Sequence, residues 1–193
     1  YSRGTGASGA ILSWAGGDMP AVSCVGVPNT IAYPENIDLW TQWAVYTLAD
    51  QVEAPVTPTG GGTLTADKVC EDGNFDMHSV DAGIVSAVGQ IFTLSFYAKA
   101  AERQWILLSR WYLYGDADLT VAFDLSTGAV WNESLRGVYD AWMENVGNGW
   151  WRCIVQAVPI ASAGSISISI GPDGGSHVMA YQGTAGYGIY LWG

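Results

Sequence analysis

This sequence is poor in charge. Asp, Glu, Lys and Arg make up 13% of its 193 residues, against roughly a quarter in an average globular protein. Hydrophobic residues make up 49%, so the chain has apolar surface enough to pack and is not of the disordered class. Its length suits one domain with a short appendage. Positive charge is scarcest: 7 basic residues stand against 18 acidic ones, a formal charge of −11. Phosphate backbones and anionic lipid are held by clustered Lys and Arg, which sets nucleic acid and membrane adhesion aside. Only two histidines occur, His78 and His177, neither in a metal-ligand spacing such as H-E-x-x-H. The three cysteines, Cys24, Cys70 and Cys153, are odd in number and lack C-x-x-C spacing. No disulfide framework is expected, which suits synthesis in a reducing cytoplasm. Cys153, within WRCIVQAV, reads as a small buried hydrophobe. No apolar run reaches the ~18 residues of a transmembrane helix, and no basic-then-apolar leader opens the chain. It opens on Tyr1 rather than Met, which implies a processed form, a fragment or an incompletely known sequence.

Catalytic signatures are missing too. There is no G-x-S-x-G elbow and no G-x-x-x-x-G-K-[ST] loop. Paired carboxylates do glycosidase chemistry only when held about 5–10 Å apart across a cleft, and among so many acids a chance pair means little. Asp124 is the nearest to a groove-lining acid, but Asp-Leu-Ser-Thr-Gly reads first as a turn. Two oxygen-rich loops, Glu71-Asp72-Gly73-Asn74 with Asp76 and Asp116 with Asp118, do not follow the EF-hand spacing. No enzyme and no cofactor are expected, with a structural calcium at these loops as the minor alternative.

What is abundant is aromatic and β-forming. Ten Trp and ten Tyr supply flat side chains that fill cores or form stacking platforms. Period-2 alternation, the mark of a half-buried strand, recurs along the chain. In IFTLSFYAK, Phe92, Leu94, Phe96 and Ala98 share a side; in LTVAFDL, Leu119, Val121, Phe123 and Leu125; in SISISI, Ile166, Ile168 and Ile170. WRCIVQAV is apolar on both sides and reads as a central strand; the closing YGIYLW puts Ile189 and Leu191 together. Gly147-Asn148-Gly149 is a strong hairpin signal, and Pro172-Asp173-Gly174-Gly175 is a further break. No amphipathic helix is expected beyond a short turn within residues 36–43. The pattern predicts an all-β, antiparallel β-sandwich or jelly roll over residues 35–193.

Residues 1–34 differ in kind, with six Gly, three Pro and no sustained period. Their apolar residues, Ile11, Leu12, Trp14, Val22, Val25 and Val27, are too many for a solvated linker. An extended N-terminal arm that packs on its own sandwich or on a neighbouring subunit fits equally well.

Six motifs occur in a recognisable order: NTIAYPENIDLWTQW, TLTADKVCE, FTLSFYAKAAER, FDLSTGAV, VGNGWWRCIV and YQGTAGYGIYLWG. Together they resemble a carbohydrate-binding-like β-sandwich domain of phage head-spike and tail-fibre proteins, also joined to bacterial polysaccharide-degrading enzymes. The resemblance covers about four-fifths of the chain and leaves the first 28 residues without a counterpart. It implies a jelly-roll fold, a role in display or adhesion, and a place on the virion after synthesis in the host cytoplasm. Expected partners are other virion subunits or further copies of this chain, and polysaccharide. A carbohydrate-binding module, on its own or within a polysaccharide-degrading enzyme, is the alternative.

Candidate glycan-binding residues follow from the aromatics. In QWILLSRWYLY one side of the alternation carries Trp105 and Trp111, the other Arg110, Tyr112 and Tyr114. One of these sides should meet solvent or ligand in a two-layer sandwich, although Tyr112 at a sheet edge with a wet hydroxyl explains the pattern as well. Trp131, Tyr139 and Trp142 fall in a polar stretch that reads as a loop, and so suit a binding rim or an intersubunit contact. Trp150, Trp151 and Trp192 read as core, and Trp40 and Trp43 as a staple of residues 36–43 onto the sandwich.

Overall fold

The structure, a computed structural model, describes residues 2–3, 12–13, 31, 33, 36–55, 64–85, 87–109, 121–132, 138–159, 162–172, 174 and 178–193. The chain divides into two compact units, Tyr1–Thr30 and Ile31–Gly193. In the first, β1 (Ser2–Arg3) pairs antiparallel with β2 (Leu12–Ser13), Arg3 opposite Leu12. Of the arm residues singled out above, Leu12 is described by its backbone alone, and Ile11, Trp14, Val22, Val25 and Val27 lie outside the described residues.

The second unit begins with a single 3-10 turn, Ile37–Leu39, and then runs through strands. These are β3 (Thr41–Trp43), β4 (Val45–Glu53), β5 (Leu64–Glu71), β6 (Phe75–Met77), β7 (Ser79–Val85), β8 (Phe92–Ala100) and β9 (Trp105–Ser109). They continue as β10 (Val121–Asp124), β11 (Val130–Asn132), β12 (Val138–Gly147), β13 (Trp150–Ala157), β14 (Ala163–Gly171), β15 (Ala180–Gln182) and β16 (Gly188–Trp192). One six-stranded sheet has the order β11-β10-β9-β14-β7-β3, the other β12-β13-β8-β16-β5-β4. A two-stranded ribbon joins β15 to β6, and every described pairing is antiparallel. The chain crosses repeatedly between the sheets: β7 lies in the first, β8 in the second, β9 in the first again. The result is a β-sandwich of jelly-roll type.

Alternation puts the core where the sequence indicates. Leu94, Phe96 and Ala98 of β8 face Ile106, Leu108, Val121, Phe123, Ile166, Ile168 and Ile170 of the other sheet in one buried cluster. Phe96 and Phe123 meet edge to face across the sheets, ring centroids 6.0 Å apart. Cys153 is fully buried in β13, and burial pushes its thiol well above the usual range. Between β12 and β13 the chain turns at Asn148 (φ 53°) and Gly149 (φ 79°), the two left-handed residues of a type I′ hairpin.

Three expectations are corrected. The stretch from Gly128 to Gly147 is largely strand, β11 and the long edge strand β12, rather than loop. As an edge strand, β12 turns Ala141 and Met143, among its described side chains, against the core, and both are partly buried, so its apolar periodicity is faint. Trp40 is buried and donates from its indole nitrogen to the Tyr33 carbonyl at 3.1 Å, whereas Trp43 is half exposed. Trp150 is core and Trp151 packs against it, but Trp192 lies on the outer face of its sheet beside Tyr97, centroids 5.4 Å apart.

Candidate functional site

Of the glycan-site residues expected from the sequence, Trp105, Trp131 and Trp142 have described side chains. Arg110, Trp111, Tyr112 and Tyr114 lie outside the described residues, and Tyr139 is described by its backbone in β12 alone. Trp105 and Trp131 both lie on the outer face of the first sheet. Strand registers set a row Trp131–Ala122–Leu107–Ser169–Ser79–Trp43 across all six strands, with Trp105 one strand position away from that row. Yet Leu107, Ala122, Ser169 and Ser79 are all fully buried. With Ile106 and Leu108 buried on the inner side, β9 is covered on both faces at Ile106–Leu108. Trp142 lies on the opposite side of the sandwich, where its indole nitrogen donates to Glu144 at 3.2 Å.

Asp124 is a turn residue. Its carboxylate accepts from the Ser126 amide (2.8 Å), the Ser126 hydroxyl (2.6 Å) and the Thr127 hydroxyl (2.7 Å). Burial alone would raise its pKa, but these donors outweigh burial and hold it below the carboxylate norm. In the loop after β5 the oxygens are likewise in use. Asp72 accepts from the backbone and side-chain nitrogens of Asn74, and Asp76 from the Met77 amide. Asp116 and Asp118 lie outside the described residues, and no metal-holding group occurs among those described.

The side chains that do come together lie at one end of the sandwich, where β5 finishes and β16 begins. Glu71, the last residue of β5, is fully buried. Arg103, after β8, clamps it with Nε to Oε1 at 2.7 Å and Nη2 to Oε2 at 3.0 Å. The Tyr181 hydroxyl and the Thr184 amide donate to the same carboxylate. Burial pushes the Glu71 carboxyl up, but Arg103, Thr184 and Tyr181 outweigh it and hold the group below its ordinary range. The backbone closes the same knot: the Glu71 amide donates to Tyr187 O at 2.8 Å, and the Gly186 amide to Glu71 O at 3.0 Å. His78, fully buried, contacts the Ala44 carbonyl through Nδ1 (2.7 Å) and the Tyr181 carbonyl through Nε2 (3.3 Å). It also packs edge-on against the Tyr181 ring.

Around this buried polar knot, aromatic rings face outward. Phe75 is 71% exposed, Trp43 50%, Tyr46 41% and Tyr187 41%. Each is tied to the knot by chain or contact. Trp43 precedes Ala44, the acceptor for His78. Phe75 pairs with Gln182 in the β6–β15 ribbon, next to Tyr181. Tyr187 supplies the carbonyl that Glu71 binds, and its ring lies 5.2 Å from the Arg103 guanidinium. Tyr46 pairs with Cys70 on β5, and its hydroxyl lies 3.6 Å from where a Cβ on Gly186 would be.

No protein-family model matches the chain, and no curated protein matches it.

From the sequence Trp43 reads as a staple, and Tyr46, Phe75 and Tyr187 are not singled out. Tyr46 and Phe75 sit in runs where an exposed and a buried aromatic look alike. Tyr187 did carry a signal: in A-G-Y-G-I it stands between two glycines at the mouth of a strand. An aromatic between two glycines there belongs to a turn rather than to the core.

Proposed function

We propose that this chain is a non-enzymatic surface module of a phage particle, a capsid decoration, head-fibre or tail-fibre part, that adheres to polysaccharide. The observation that carries the reading is the set of four outward rings, Trp43, Tyr46, Phe75 and Tyr187, held on a hydrogen-bonded frame at one end of the sandwich. Rigid aromatics on a fixed scaffold bind at low entropic cost. The carboxylates Glu71 and Asp124 are consumed in holding loops, which favours binding over acid–base chemistry. The motif order that resembles phage spike and fibre domains supports the virion setting, and the free, buried Cys70 and Cys153 suit synthesis in a reducing cytoplasm. The test is gel retardation of the purified protein against a panel of bacterial and algal polysaccharides. Retardation by one polymer, relieved by its oligosaccharide, is the expected result; no retardation across the panel overturns the adhesive reading.

A second reading, assembly through the arm, is favoured by the separation of Tyr1–Thr30 as its own compact unit. In it, residues 1–34 dock on neighbouring virion subunits or on further copies of the chain. Particles assembled with the truncated protein should then lack it, and retention of the truncated protein on particles counts against the arm.

A further inference from the structure

Within the adhesive reading, on which the following rests, the four rings are not equivalent. Tyr187 is the one whose backbone and ring are both fixed. Its amide donates to Thr184 O at 2.9 Å and its carbonyl accepts from Glu71 at 2.8 Å. One side of the ring lies against the Arg103 guanidinium at 5.2 Å, and that guanidinium is itself locked by both oxygens of buried Glu71. The ring remains 41% exposed. A flat ring with a fixed underside and an open upper side is a ready stacking platform, because little freedom is left to lose on binding.

Polar groups stand beside it. The Lys68 ammonium donates to Gly186 O at 3.1 Å and pairs with Glu102 at 2.8 Å. Glu102 also accepts from the Gly188 amide at 3.2 Å, and its side chain remains 42% exposed. The Tyr46 hydroxyl lies 3.6 Å from where a Cβ on Gly186 would be, with its ring 41% exposed. Two tyrosine rings therefore flank the Gly186 turn, with a carboxylate that has lone pairs to spare for ligand hydroxyls.

Charge selects the ligand class. Lys68, Arg103 and Arg152 each face a carboxylate, of Glu102, Glu71 and Glu144 respectively. The remaining cation with a described side chain, Lys99, lies against Gly149 of the β12–β13 hairpin, and the chain as a whole carries −11. A uronate or sulfated polymer would meet repulsion without a compensating ammonium or guanidinium. We propose that Tyr187 and Tyr46, with Glu102, form a pyranose-stacking site for an uncharged polysaccharide.

The test is native affinity electrophoresis of the full chain in gels with neutral polymers (a β-glucan, a galactomannan) or acidic ones (alginate, carrageenan). Wild type is compared with Tyr187→Ala, Tyr187→Phe, Tyr46→Ala and Trp142→Ala. Retardation is expected with a neutral polymer only. It should weaken about tenfold in Tyr187→Ala and in Tyr46→Ala, as loss of one stacked ring implies, and stay within about twofold in Tyr187→Phe. If Tyr187→Ala loses its thermal transition, Tyr46→Ala and Tyr187→Phe carry the comparison. Neutral-polymer binding that survives loss of both tyrosines, or that falls with Trp142→Ala instead, overturns the site while leaving adhesion intact. Equal loss in Tyr187→Phe and Tyr187→Ala overturns stacking, and retardation by acidic polymers overturns the ligand class. A wild-type protein that no polymer retards sinks the adhesive reading itself.

Discussion

Glu71 and Asp67 are two carboxylates on one strand, both buried, and their surroundings act on them in opposite directions. Asp67 accepts backbone amides of Ile37 (2.9 Å), Asp38 (3.4 Å) and Asp50 (3.0 Å) but pairs with no cation among the described residues; burial wins and its pKa rises. Glu71 has a bidentate guanidinium as well as a hydroxyl and an amide, and its pKa falls despite burial. Removing one partner of a buried pair leaves the other uncompensated, so Glu71→Gln should destabilise the sandwich by about 3–5 kcal/mol, read by urea denaturation at pH 7. The pH dependence has a fixed sign. A carboxyl whose folded value is depressed contributes stability above its unfolded pKa, and that stability is lost as pH falls through the lower folded value. Wild type should therefore lose stability on acidification below the ordinary Glu range. Asp67, with its raised folded value, works the other way: its share is present at low pH and lost as pH rises through the folded value. Melts from pH 7 down to 3 should show a smaller acid loss in Glu71→Gln than in wild type; an unchanged slope would mean that Glu71 does not carry it.

At the scale of the strand, legibility tracks burial. SISISI and FTLSFYAK were readable because one face is wholly core: Ile166, Ile168 and Ile170 in the first, Leu94, Phe96 and Ala98 in the second. VYDAWMENVG was not, because β12 is an edge strand whose inward residues are only partly buried. The hairpin after it was readable from chemistry alone, since Asn148 and Gly149 both take positive φ and Asn-Gly is the pair that tolerates this best. Gly149→Ala should accordingly cost about 1–2 kcal/mol, with Asn148→Gly close to neutral, in the same denaturation assay. At the site the sequence offered much less. A buried Glu–Arg pair separated by 32 positions leaves no local pattern; it exists only because β5 and the turn after β8 flank β16 at the same end. Gly188 marks this crowding, for any Cβ there would overlap the Val69 carbonyl oxygen. The six-motif order held that glycine, but nothing local said what it touches.

For the whole molecule, the decisive feature is that the described hydrophobic core is drawn entirely from the second unit. Its buried cluster runs from Ile37 in the 3-10 turn to Leu191 in β16, with Ile31 packed against it. A sandwich of this length buries about 68–70% of the surface its unfolded chain exposes, enough for independent stability without a further segment. Residues 31–193 alone should therefore unfold in a single cooperative transition, with a urea midpoint close to that of the full chain. The slope of that transition follows the area exposed on unfolding, so a matching slope would show that the first thirty residues add little to the cooperative unit. A large fall in midpoint would instead make the N-terminal segment part of the sandwich's own fold, and assembly through it would lose its physical basis. With midpoint and slope unchanged, Ile11, Leu12, Trp14, Val22, Val25 and Val27 are apolar residues that the sandwich does not need for stability. Their remaining use is then contact with another chain, and loss of particle binding by the same truncated protein would tie them to that contact.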